Sequence, residues 1–137
     1  MDDVVAFVTG TAARRRAVLE WAARYAGHTG RVHVVCDGLL PPAVTSSIML
    51  MGLMINAERI EHADFAEAAQ ILAPFGCAWT WRHTPLGARG LAMRIARQYG
   101  AVVVVPRRYR VRAPSVQILA PVDGAAERTI WGRVQGH

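Results

Sequence analysis

Short runs of wholly apolar residues alternate along this chain with longer stretches in which apolar positions recur every three or four residues. Val4-Val5-Ala6-Phe7-Val8 is the first run, and it stops at Thr9-Gly10-Thr11, which predicts a buried strand entering a turn. Residues 12–26 then place Val18, Ala22, Tyr25 and Ala26 at helical spacing, with Gly27 as a stop. Arg31-Val32-His33-Val34-Val35-Cys36 predicts a second strand, closed by Asp37-Gly38. After a long insertion comes a helix whose Ala57, Ile60, Phe65, Ala68, Ile71 and Leu72 share a face, opposite Glu58, Glu61 and Glu67, and Pro74 and Gly76 end it. Cys77 to Trp81 predicts a third strand, and Ala88 to Tyr99 a helix with Leu91, Ala92, Ile95 and Tyr99 on one side. Ala101-Val102-Val103-Val104-Val105 has the continuous apolarity of a central parallel strand, and Val116 to Ala120 is a final strand. Strands alternating with helices predict an α/β fold: a doubly wound, mainly parallel sheet with helices on both faces and right-handed crossovers.

At 137 residues and 53% hydrophobic, the sequence predicts one domain over residues 1–137 with a sizeable core. The first residues carry acids where a signal peptide carries Lys or Arg, and the apolar run is too short to cross a bilayer, so a cytoplasmic location without a membrane span is expected. Cys36 and Cys77 form no CxxC, so buried reduced thiols are expected and neither a zinc site nor a disulfide framework is implied. All sixteen basic residues are Arg, which excludes Schiff-base chemistry and the phosphate-binding Lys of a P-loop. The net charge of +6 will attract anions.

Arg15-Arg16-Ala17-Val18-Leu19-Glu20-Trp21-Ala22-Ala23-Arg24-Tyr25-Ala26 resembles the first helix of universal stress proteins, where an Ala-Leu-x-Trp-Ala-x-x-Leu-Ala pattern follows the first strand. The resemblance continues through His33-Val34-Val35 to Tyr99-Gly100-Ala101-Val102-Val103-Val104-Val105, covering about three quarters of the chain. It implies five strands in the order 3-2-1-4-5, a homodimer, and in many members an ATP or AMP site at the ends of strands one and four.

The sequence departs from that family where its function concentrates. ATP-binding members have an Asp ending the first strand and a glycine-rich segment after the fourth, whose N–H groups cradle phosphates. Here the first strand ends Phe7-Val8-Thr9-Gly10, and the fourth runs into Pro106-Arg107-Arg108-Tyr109-Arg110-Val111-Arg112-Ala113-Pro114-Ser115 without a glycine. Pro106 has no N–H, and Arg does not permit the close backbone approach that Gly does, so the usual ATP mode is not expected and no cofactor is assigned. The helix between strands four and five is also expected to be shortened or absent.

In open α/β sheets ligands sit outside the carboxyl ends of the strands where the strand order reverses. That rule gathers Thr9, Gly10, Thr11, Arg14, Cys36, Asp37, Arg107, Arg108 and Arg110 as candidate ligand-binding residues. Arg14, Arg15 and Arg16 crowd the positive end of the first helix, where an anion would relieve their repulsion. Arg108, Arg110 and Arg112 share one side if the segment is extended. The two readings are a phosphate-binding rim and a solvated basic surface.

From Leu39 to Ile55 the chain carries no charge, and Ile48 to Ile55 is apolar on every side, so it is core or interface. Met51 and Met54, together with Val116, Ile118 and Ala120 of the last strand, are the candidate interface residues of a homodimer. The five histidines show no HxxxH or HExxH spacing, there is no GxSxG, and no nucleic-acid module appears. The expected function is a binding or regulatory domain rather than an enzyme, acting through self-association, a protein partner or an anionic ligand. The alternative is a nucleotide- or phosphoester-binding domain that uses Arg side chains.

Overall fold

A computed structural model describes residues 3–37, 61–84, 86–111 and 113–121. The strands are β1 (Asp3–Val8), β2 (Arg31–Asp37), β3 (Ala78–Thr84), β4 (Val102–Val104) and β5 (Ile118–Leu119). The helices are α1 (Ala12–Ala26), α2 (residues 61–72) and α3 (Ala88–Tyr99). All strand pairs are parallel, and the sheet order is β3-β2-β1-β4-β5. The expected α/β architecture and strand order are therefore present.

Strand alternation divides the core between two layers. Val4, Ala6 and Val8 of β1 point to the side where α1 and α2 pack, through Val18, Leu19, Trp21, Ala22 and Ile71, Leu72. Val5 and Phe7 point to the opposite side, against Ala92, Met93 and Ala96 of α3. Crossovers of one hand place the two leftward connections on one face and the β3-to-β4 connection on the other, because the chain reverses direction across the sheet at β1. The reversal opens a crevice between the carboxyl ends of β1 and β4.

Three elements differ in extent from their sequence patterns. β3 runs on to Thr84, although Arg82, His83 and Thr84 are polar, because Cys36 and Asp37 of β2 provide pairing partners for His83 and Thr84. β5 shrinks to two ladder residues, since β4 offers it only Val103 and Val104. The described residues between β4 and β5 contain no helix. Tyr109, Val111, Ala113 and Val116 of this connector pack instead against the α3-side core, with the Tyr109 ring 5.2 Å from that of Phe7. The connector thus covers the face that a helix would cover. It also turns at Arg107 and Arg108, where Arg108 has φ 66°, so the expected extended stripe of Arg108 and Arg110 is not formed. Arg112 and the apolar insertion with Met51 and Met54 lie outside the described residues. No helix among the described residues is long and apolar enough to cross a membrane.

Candidate functional site

A groove of about 490 Å³ lies between α1 and the segments that follow β4 and β5, lined among others by Arg14, Trp21, Arg24, Arg107, Arg108 and Pro121. Its construction follows from local structure. Gly10 adopts φ 87°, which turns the chain sharply after β1, and Thr11 caps α1 by accepting a bond from the Arg14 N–H at 3.3 Å. The helix then presents Arg14, Ala17, Trp21 and Arg24 as one stripe along the groove. Arg107 and Arg108 enter from the opposite wall, on the turn after Pro106.

The three arginines of the first helical turn have separate fates. Arg15 makes a bidentate bridge to Glu67 of α2, with Nε–Oε1 at 3.1 Å and Nη2–Oε2 at 3.2 Å, and its Nη1 donates to the Gly10 carbonyl at 2.8 Å. The hydrogen bond to Glu67, opposed by partial burial, raises its pKa. Arg16 pairs with Glu20 one turn along at 2.9 Å. Among the described residues no carboxylate pairs with Arg14, Arg24 or Arg108. Glu20, the acid among the groove's lining residues, is engaged by Arg16.

The remaining candidates go elsewhere. The Thr9 side chain hydrogen-bonds Asp37, whose carboxyl is held above its usual range by partial burial, an effect that this bond and the neighbouring His83 oppose. Gly10 and Thr11 shape the turn and do not line the groove. Arg110 is exposed and does not line it either. Val116, Ile118 and Ala120 are half-buried against the α3-side core. Sequence reasoning missed Trp21 and Arg24 as groove residues, although their spacing from Arg14 follows the helical repeat.

Cys36, a candidate ligand-binding residue from the sequence, belongs to a second cluster at the carboxyl ends of β2 and β3. Its thiol donates to Asp64 Oδ2 of α2 at 3.5 Å, and His83 Nε2 lies 3.4 Å from the same oxygen. Burial first, and then the adjacent Asp64 carboxylate, push the Cys36 thiol up to about 12. It is therefore protonated at neutral pH and unsuited to nucleophilic attack. Trp81 stacks beside His83, with ring centroids 6.0 Å apart, and Phe65 meets Trp81 edge-on at 5.5 Å.

At the opposite end of the sheet His33 is also buried. Its Nε2 lies 3.2 Å from Asp3 Oδ2 and its Nδ1 3.2 Å from Thr80 Oγ1, and Tyr99 stacks on it at 4.6 Å. Both ring nitrogens are occupied, which gives this histidine a structural part. No family model, curated protein or solved structure matches the chain.

Proposed function

We propose that this chain is a binding domain of the universal-stress-protein type that takes a phosphate-bearing anion through arginine side chains. The observation that carries the reading is the convergence of Arg14, Arg24, Arg107 and Arg108 on one groove beside the strand-order reversal. A guanidinium offers a planar fork that matches two phosphate oxygens, so a glycine cradle is not required for affinity. Trp21 adds a ring at the groove wall, against which an apolar part of a ligand can rest. The domain acts by binding and release rather than by catalysis, and its setting is the cytoplasm.

Calorimetric titration with inorganic pyrophosphate tests this reading. The wild type is expected to bind, more weakly as salt rises, and Arg107→Ala with Arg108→Ala is expected to weaken binding at least about tenfold. ATP is expected to bind no more tightly than pyrophosphate, since nothing in the reading supplies an adenine pocket. Absence of pyrophosphate binding, or equal binding by the double variant, overturns the assignment.

Self-association is a second reading, favoured by the position of β5 at the edge of the sheet that the described residues form. An edge strand offers unpaired backbone groups to another chain. Sedimentation at micromolar concentration tests it: a dimer that Ile118→Pro dissociates supports pairing through β5, and a monomeric wild type removes it.

A further inference from the structure

The cluster at the carboxyl ends of β2 and β3 has no part in the anion groove. Parallel register sets Cys36 directly beside His83, both on the α1/α2 side of the sheet, and α2 brings Asp64 over the pair. One ligand atom from each of the three residues lies within 4.8 Å of the other two. A tetrahedral zinc ion, with Zn–S of about 2.3 Å and Zn–N or Zn–O of about 2.0–2.1 Å, spaces its ligand atoms roughly 3.3–3.5 Å apart. The 3.5 Å separation from Cys36 Sγ to Asp64 Oδ2 and the 3.4 Å separation from His83 Nε2 to Asp64 Oδ2 have these dimensions.

A second observation points the same way. His83 Nε2 is buried and has no hydrogen-bond partner among the described residues, and the side chain is only 7% exposed. It sits at ion-pair distance from Asp64 without the alignment of a hydrogen bond. A buried ring nitrogen left so costs stability, and a metal ion is a partner that needs no such alignment.

We propose that Cys36, Asp64 and His83 form a Zn²⁺ site with three protein ligands and a fourth position for water or an anionic ligand atom. The mixed sulfur, nitrogen and oxygen set suits zinc, whereas Mg²⁺ and Ca²⁺ take oxygen ligands. An open fourth position lets the metal take a bound molecule as a ligand. A cysteine nucleophile activated by histidine is disfavoured by the geometry, because the Cys36 thiol donates its hydrogen bond to Asp64, whose Oδ2 also faces His83 Nε2. Arg15 interacts electrostatically with Cys36 and Asp64, yet its guanidinium is held by Glu67. On binding, zinc takes the place of the thiol proton, which passes to solvent. Trp81 and Phe65 form an aromatic wall beside His83.

The test uses reduced, chelator-treated full chain titrated with Zn²⁺ against a competing indicator, and with Co²⁺ as a spectroscopic probe. One zinc per chain is expected, and the Co²⁺ form should show a thiolate-to-metal charge-transfer band. Cys36→Ser should abolish the band, and Asp64→Asn and His83→Gln should each weaken zinc binding by at least about tenfold, while Cys77→Ser leaves both unchanged. In urea just below the unfolding transition, where local opening exposes the thiol, zinc should also slow alkylation of Cys36 selectively in the wild type, read by peptide mass spectrometry, which decides the matter if a variant fails to fold. No stoichiometric uptake, a band that survives Cys36→Ser, or zinc protection at Cys77 instead of Cys36 overturns the site.

Discussion

The two carboxyl-end sites are built from opposite materials. The groove beside β1 and β4 is open and lined by exposed guanidinium groups on a helix surface and a loop. The cluster at β2 and β3 is largely buried, its ligand atoms placed by strand register and by a helix packed on the sheet. Exposed charges contribute little to stability and can be exchanged freely, whereas buried polar groups are tied to the core around them. Changes at the two sites should therefore separate cleanly, with binding lost at one and folding disturbed at the other.

The sharpest contrast is chemical. With Cys36 pushed up to about 12 from an ordinary 9.0, its thiolate fraction near pH 8 falls by roughly a thousandfold. Alkylation of the metal-free native protein at that residue should be slower than in the unfolded chain by roughly thirtyfold or more, since the greater nucleophilicity of a high-pKa thiolate offsets part of the lost thiolate fraction. Labelling at the rate of a free thiol would place Cys36 outside the core. Next in size, Leu72→Ala removes a fully buried side chain beneath α2, the helix that carries Asp64, and should cost about 2–5 kcal/mol in denaturant unfolding. A loss below 1 kcal/mol would show that α2 is not anchored to the sheet as described.

Gly10→Ala joins the two regions. Its φ of 87° disfavours any side chain, and a Cβ there would stand 3.5 Å from Arg14 Cδ, so a loss of about 1–2 kcal/mol is expected together with weaker pyrophosphate binding. The smallest effect on stability belongs to Arg14→Ala, at an exposed position of α1 that pairs with no carboxylate among the described residues, expected within about 0.5 kcal/mol of wild type by thermal unfolding. If that variant is destabilised as much as Leu72→Ala, the contrast between an open and a buried site fails.

Much of this arrangement can be read from the chain, because apolar runs such as Val102-Val103-Val104 specify buried parallel strands and amphipathic spacing specifies the helices. The groove is legible in part. Arg14 meets Arg107 and Arg108 as the strand-reversal rule predicts, but Arg110 does not, since the left-handed turn at Arg108 redirects the connector. The zinc ligands were hidden for a different reason. His83 stands on polar residues that extend β3 only because β2 pairs with them, and Asp64 comes from a helix, so no local spacing unites the three. Such clusters are products of register and packing, which a linear pattern does not encode.

The short β4–β5 ladder has a consequence for the order in which the fold opens. β5 is held through bonds such as Val103 N–H to the Gln117 carbonyl and Val105 N–H to the Leu119 carbonyl, and the connector before it adds no helical ladder among the described residues. Backbone amides there have few partners to protect them, so this margin should exchange hydrogen for deuterium sooner than β1 and β2, through local opening rather than global unfolding. Arg107 and Arg108 stand on that margin. An anion that bridges them to α1 would pin the least protected part of the sheet, and slowed exchange across residues 107–119 would record its arrival.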